Sequence, residues 1–263
     1  MKKRIIWFIG TLIFTASTFY LGLTLWNQYQ YRQAMAENEN IKEIFYQEQQ
    51  EQVEIPPPAS EDIDTEIENM EMLIRDEYST LLEINEDTVG WIHIEGTVID
   101  YPVVQGSDND YYLRRAYTGS YLHSGTIFLD FRNDYLQDNN LIIYGHTITK
   151  NNMFADLNNY IDPDTGEDFF WRHNNIEFNN LFFDENYDVF SAYVVNLDEE
   201  DYYLFPRYEG EAWQSYIEEI RERSTVKSEL VLSEDDQILT LVTCFPDLPD
   251  ARTIIHAKRR EMN

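Results

Sequence analysis

Apolar residues run without interruption by charge from Ile5 to Trp26, a stretch of 22 residues. As a helix rising 1.5 Å per residue it is about 33 Å long, enough to cross a hydrocarbon core of about 30 Å. From Asn27 to about Ser60 the pattern turns polar and rich in Gln and Glu, and Pro56, Pro57 and Pro58 interrupt it. A proline triplet cannot continue a helix and favours an extended segment, so residues 27–59 read as a stiff acidic linker. Behind Ser60, Glu61 and Asp62, the residues Ile63, Ile67, Met70, Leu73, Ile74, Leu81 and Leu82 recur at helical spacing. This predicts an amphipathic helix from Ser60 to Glu83 that lies on the following domain.

Past Asn85 the period shortens. Val89–Ile94, Val98–Val104, Thr126–Asp130, Leu141–Tyr144, Tyr187–Asn196, Gln237–Thr243 and Arg252–Lys258 are rich in Val, Ile, Tyr, Phe and Thr and are separated by Gly, Asn and Asp clusters. Seven or eight short strands with few intervening helices point to a mainly β fold, a closed or nearly closed barrel. Two helical inserts are predicted: Met153–Tyr160, and Glu211–Arg223, in which Trp213, Tyr216, Ile217 and Ile220 share a face.

The flanks of the apolar run decide its orientation. Lys2, Lys3 and Arg4 precede it, and basic residues favour the cytoplasmic side, so residues 1–4 are expected inside and everything after Trp26 outside. Trp26, Tyr29 and Tyr31 then fall where an aromatic interfacial belt is expected. A cleaved signal peptide is the competing reading, but its apolar region usually spans about 7–15 residues and ends at a small-residue site. Thr15-Ala16-Ser17 lies inside the run instead, which favours a retained single-pass anchor over residues 5–26 in the cell membrane.

With 19 basic and 49 acidic residues the chain carries a formal charge of −30, which repels polyanions and argues against a nucleic-acid role. The carboxylates are scattered rather than gathered into a metal-like cluster, so no metal is expected. One cysteine allows no internal disulfide framework, and the exported part must be held by an ordinary hydrophobic core.

That cysteine, Cys244, closes the run Ile238-Leu239-Thr240-Leu241-Val242-Thr243-Cys244, and Phe245-Pro246 ends the strand at once. A free cysteine is often small buried filler, but a thiol at a strand end beside a loop is also where sites lie. A nucleophilic thiolate needs a cationic neighbour, an acid for the leaving amine and a donor for the oxyanion. Among five histidines, His93 and His256 alternate within strand patterns, His123 lies in a turn and His173 in a polar stretch. His146 follows Ile142-Ile143-Tyr144-Gly145, so it too projects from a strand end and is the preferred partner. Arg252 opens the next strand after a loop short enough to return it alongside Cys244, its alternative being a surface pair with Asp250 or Asp247.

The run Thr240–Cys244, followed by Arg252 and preceded by Tyr144-Gly145-His146, resembles the signature of sortases, the membrane-anchored cysteine transpeptidases of Gram-positive bacteria. Val89-Gly90-Trp91-Ile92, the run from Ile99 to Gln105, Gly125–Asp130 with Arg132-Asn133, and Asn140–His146 with Met153-Phe154 are similar to class B members. The resemblance implies an eight-stranded sortase-type β-barrel with N-terminal helices and a helix inserted before the cysteine strand, occupying residues 60–263. It carries the catalytic set onto Cys244, His146 and Arg252. Cys244 would attack the carbonyl of a threonine in a C-terminal sorting signal of an exported protein, and His146 would protonate the departing amine. Arg252 would hold the substrate and its oxyanion, and a cell-wall or pilin amine would resolve the thioacyl enzyme, with no metal or organic cofactor.

Asn109 and Leu113 match positions that line the peptide groove in class B, and Thr243 adjoins the nucleophile. Some class B enzymes carry an acidic residue two places after the cysteine, where this chain has Pro246, with Asp247 one place further on. The same residues could serve a hydrolysing cysteine peptidase, although papain-like enzymes place cysteine before histidine, the reverse of the order here. A non-catalytic anchored binding module is the third reading.

Overall fold

The computed structural model describes residues 2–53, 74–147, 152–198, 202–246, 248 and 250–261. Eight strands form one closed barrel: β1 (Thr88–His93), β2 (Asp100–Val104), β3 (Phe128–Leu129), β4 (Asn140–Tyr144), β5 (Asn175–Asn180), β6 (Asn186–Asn196), β7 (Ile238–Cys244) and β8 (Ala251–Arg259). Their order around the barrel is β1-β2-β3-β4-β7-β8-β6-β5, and β5 pairs back onto β1 to close it. The β2–β3 and β4–β7 contacts are parallel and the other neighbours antiparallel. Closure leaves no sheet edge to pair with another chain.

The period of 2 along each strand separates two apolar faces. Leu141 and Ile143 of β4, Leu239 and Leu241 of β7, and Ile255 and Ala257 of β8 fill the barrel interior with Ile92, Val103, Phe178 and Phe154. The alternate residues face outward. There α3 (Glu211–Arg223) lays Trp213, Tyr216, Ile217 and Ile220 against Phe190, Tyr193, Ile238 and Ile254. Its bounds and apolar face are those the sequence pattern predicts. His256 is fully buried on this outer face between the Thr240 hydroxyl (2.9 Å) and the Tyr193 hydroxyl (2.9 Å), and burial pushes its pKa down to about 3. It is the wall residue its alternation implied.

Three elements differ from expectation. β5 was not legible as a strand, because four of its six residues are Asn or Glu; its barrel contacts are Ile176 and Phe178, two residues apart. Met153–Tyr160, expected as a helix, is a turn followed by a 3-10 helix over Ala155–Ile161. Within the predicted Ser60–Glu83 helix, the described residues give a 3-10 turn, Asp76–Tyr78, and a short α2, Ser79–Ile84. Residues 60–73 and the proline triplet lie outside the described residues.

The stretch from Asn27 is not an extended spacer as far as Val53. It continues the apolar segment as one helix, α1 (Lys2–Val53), and docks on the barrel. No proline or glycine lies between Trp26 and Val53, so nothing in the sequence breaks the helix, and its inward side chains find a seat. Ile41 and Phe45 are buried against Trp91, and the Phe45 and Trp91 rings stack with centroids 4.2 Å apart.

A half-buried carboxylate fixes the register of this docking. Asp100 accepts from Trp91 Nε1 (2.7 Å) and Tyr46 Oη (2.9 Å), forms an ion pair with Lys42, and has His93 Nδ1 at 3.5 Å. Burial works to raise its pKa, but His93, Lys42, Trp91 and Tyr46 together outweigh burial and hold it down to about 2. A depressed carboxyl stabilises the fold above its unfolded pKa near 4, and that stabilisation is lost as pH falls toward 2. Asp100→Ala strands the Trp91 and Tyr46 donors and is expected to cost about 2–3 kcal/mol. The lowered denaturation midpoint of the detergent-solubilised chain, and loss of its dependence on pH between about 4 and 2, is the measurement.

Candidate active site

Three strand ends meet on one rim of the barrel. β7 finishes at Cys244, β8 begins at Ala251, and β4 finishes just before Gly145. The antiparallel β7–β8 register puts Cys244 directly opposite Arg252. Facing residues of such a pair have Cα atoms about 4.5–5.5 Å apart and side chains on the same face. The parallel β4–β7 register aligns Tyr144 with Val242, and Gly145 N–H continues the ladder onto the Val242 carbonyl at 3.1 Å. His146 is therefore level with Cys244, one strand spacing away. Cys244, Arg252 and His146 all continue the outward-facing set of their strands.

Gly145 permits this arrangement. A Cβ there would stand 2.6 Å from the Phe154 ring, which fills the barrel mouth beneath the strand end. Phe154 also donates its N–H to the His146 carbonyl at 3.2 Å, fixing the backbone that carries the imidazole.

The imidazole is held from above by the β2–β3 loop. His146 Nε2 lies 3.0 Å from the Leu113 carbonyl, an atom that can only accept, so Nε2 carries a proton. Burial lowers the His146 pKa, the Leu113 hydrogen bond works in the opposite direction, and the neighbouring Arg114, His123 and Arg252 lower it further. The ring is then neutral at pH 7, with Nδ1 left as an acceptor. Because a neighbouring cation opposes protonation, Arg114→Gln is expected to move the His146 pKa upward, toward 6.5, in a histidine NMR titration. An unchanged or lowered value would remove Arg114 from the field at the site.

Arg252 is half-buried, and among the described residues its one hydrogen-bond partner is the adjacent Ala251 carbonyl, through Nη1 at 2.9 Å. Among the described residues no carboxylate pairs with it: Asp250 is exposed and forms no such pair, and Asp247 lies outside the described residues. Its remaining donors face the rim without a protein acceptor among those residues. Cys244 is likewise half-buried and free.

Residues of opposite parity point inward and form a second layer. Thr243 is buried, and its hydroxyl meets that of Thr147 at 2.8 Å. Asn158, from the 3-10 helix, ties this layer together. Its amide donates to Thr147 Oγ1 (3.3 Å) and to the Cys244 carbonyl (3.5 Å), and its Oδ1 accepts from Thr253 (2.5 Å). One asparagine thus links the loop after His146 to the strands of Cys244 and Arg252. Sequence reasoning missed it, since an asparagine inside Asp156-Leu157-Asn158-Asn159 carries no signal of its own.

Asn109 and Leu113 sit in the loop that roofs the site. The Asn109 amide donates to Asp130 Oδ2 (3.0 Å) and its Oδ1 accepts from Phe131 N–H (3.0 Å). Asp130 is itself buried and held by Arg132 and by Tyr144 Oη (3.1 Å). The loop turns back at Gly125, whose φ of +61° favours glycine and where a Cβ would meet the Tyr112 carbonyl at 2.5 Å. Asn109 therefore fixes the loop, and Leu113 touches the site through its carbonyl.

The family model for the sortase domain matches residues 92–260. The chain is 36% identical over 191 residues to sortase B of Listeria monocytogenes, covering 70% of this chain and 74% of the relative. It is 35% identical over 173 residues to sortase B of Staphylococcus aureus, covering 65% and 68%. Among solved structures, a Staphylococcus aureus sortase B–substrate complex superposes with a TM-score of 0.74 at 28% identity, covering 89% of this chain and 100% of that one. A Bacillus anthracis protein described as similar to sortase B gives 0.73 at 31% identity, covering 89% and 98%. The domain match spans nearly the whole barrel, both named relatives share over a third of their aligned residues with it, and the fold agrees: this chain belongs to the sortase family, within class B.

Proposed function

We propose that the chain is a transpeptidase that cuts a C-terminal sorting signal of exported proteins after threonine and passes the acyl group to a cell-wall or pilin amine. The observation that carries this reading is the meeting of Cys244, His146 and Arg252 on one face of one rim of a sortase-family barrel. His146 Nδ1 takes the thiol proton, and the Cys244 sulfur adds to the threonine carbonyl. The Arg252 guanidinium, a planar donor with no carboxylate of its own among the described residues, holds the oxyanion that forms. Collapse breaks the C–N bond, His146 returns the proton to the departing amine, and a thioester remains. An incoming amine then attacks the thioester, loses a proton to His146 and releases Cys244, so one amide bond is broken and one is made.

In this reading Leu113 orients His146 through its carbonyl, Asn109 holds the loop that forms the groove wall, and Thr243 positions the cysteine strand from beneath. The apolar segment of α1 is long enough to cross a membrane. We place residues 1–4 inside, the anchor over 5–26, and the barrel outside with its substrates. Incubation with a library of sorting-signal peptides, with and without an added wall-type amine, tests the reaction. Transfer products that rise with amine at the expense of free acid support transpeptidation; hydrolysis that ignores the amine would make the chain a peptidase.

A further inference from the structure

The roof loop of the site reaches the anchor helix at the level where the apolar run ends. Ala34 of α1 packs with Ala116 and Leu122, and Glu37 accepts the Thr118 N–H at 3.0 Å. Closer to the membrane, a cleft of about 600 Å³ lies between Tyr20, Leu23 and Thr24 of the helix and Leu122, His123 and Ser124 of the loop. Those three helix residues belong to the apolar run. Thr24 precedes Trp26 by about 3 Å of helix and Tyr20 by about 9 Å, so the loop tip is level with the outer end of the span.

Charge divides along the same line. In a chain of net charge −30, no Asp or Glu occurs before Glu37, and none between Asp110 and Asp130. The two acid-free stretches are the ones that touch. The loop carries Arg114 and Arg115, whose partners among the described residues are not carboxylates. Arg114 Nη1 is 2.9 Å from His123 Nδ1, while Arg115 bonds the Gly119 carbonyl (3.0 Å) and lies over the Tyr111 ring at 4.6 Å. Asp108 and Asp110 border the hollow beside both arginines, and Asp108 is occupied in capping the N–H groups of Asp110 and Tyr111. Tyr121, 62% exposed, and Tyr111, 42% exposed, flank the arginines. Amphipathic rings beside guanidinium groups suit a headgroup layer, and an acid-free collar lets a strongly anionic domain approach an anionic surface.

We propose that the loop 111–124 docks on the phosphate headgroups of anionic phospholipids around the anchor, with Arg114, Arg115, Tyr111 and Tyr121 as the contact. The proposal rests on residues 5–26 crossing the membrane, and it adds an orientation: the loop that holds His146 through Leu113 is seated on the lipid, so the rim opens at the membrane surface.

The test uses the full chain in nanodiscs of phosphatidylcholine, with or without phosphatidylglycerol, and reads amide hydrogen exchange over residues 111–124. Exchange is expected to be slower by on the order of ten-fold with phosphatidylglycerol, an effect the size two surface arginines support. High salt and the pair Arg114→Gln with Arg115→Gln should each abolish the difference. Equal exchange in both lipids, or protection that survives both salt and the double substitution, would overturn the headgroup contact while leaving the anchor in place. A chain that fails to enter the discs at all would overturn the anchor and the docking together. The lipid and salt comparisons use the unaltered chain, so they decide the matter even if the double variant folds poorly.

Discussion

Cys244→Ala is expected to leave no covalent adduct with any sorting-signal peptide and to reduce turnover by roughly 10⁴- to 10⁶-fold, the scale seen when the nucleophile of a catalytic set is removed. The substitution deletes one sulfur from a half-buried strand end, so little packing is lost with it. The Cys244↔Arg252 register is made by backbone, which alanine keeps. An unchanged unfolding midpoint beside abolished turnover would separate chemistry from stability. Residual peptide-to-amine transfer at a tenth of the original rate or more would mean that another group attacks the carbonyl.

Arg252→Ala is expected to lower kcat by about 10²- to 10³-fold, the usual cost of removing one donor from an oxyanion site, with a smaller change in KM. The reason lies in what the guanidinium does at rest: it bonds the Ala251 carbonyl and pairs with no carboxylate among the described residues. Little folding energy is therefore at stake, and its donors are free for charge that develops only during reaction. Arg252→Lys keeps the cation but loses the planar fork, and a partial recovery of kcat is expected. A raised KM with kcat intact would instead assign Arg252 to holding the substrate in its ground state.

Much of this site was legible because it is built on strands. β4, β7 and β8 are buried on both faces and read as near-continuous apolar runs, and once such a run is placed as a strand its period of 2 says which residues share a face. The thiol, the imidazole and the guanidinium each sit at the end of such a run. What could not be read was pairing. Nothing in the sequence says that β4 lies parallel beside β7, and without that register His146 was preferred only for its place at a strand end. Asn158 and the Leu113 carbonyl escaped for the same reason, since each acts across a long loop and through a group that every residue or many residues possess.

The helical part of the chain carried the opposite error. The polar sequence after Trp26, interrupted by the proline triplet, suggested a stiff linker, yet Gln and Glu are good helix formers and the run lacks Gly or Pro up to Val53. Tertiary contacts settle the matter: Phe45 on Trp91, and Lys42 and Tyr46 on Asp100, select the docked helix. Strand β5 was hidden by its asparagines, and only the spacing of Ile176 and Phe178 marked it.

In the proposed reaction Cys244 carries the acyl group between donor and acceptor. Intact and peptide-level mass spectrometry of the chain, incubated with a sorting-signal peptide and no amine, tests it most directly. A mass gain equal to the peptide fragment ending in threonine is expected on Cys244, followed by its discharge onto an amine added afterwards. Product formation with Cys244 unmodified at every time point, or an adduct on another residue that the amine discharges, would contradict it.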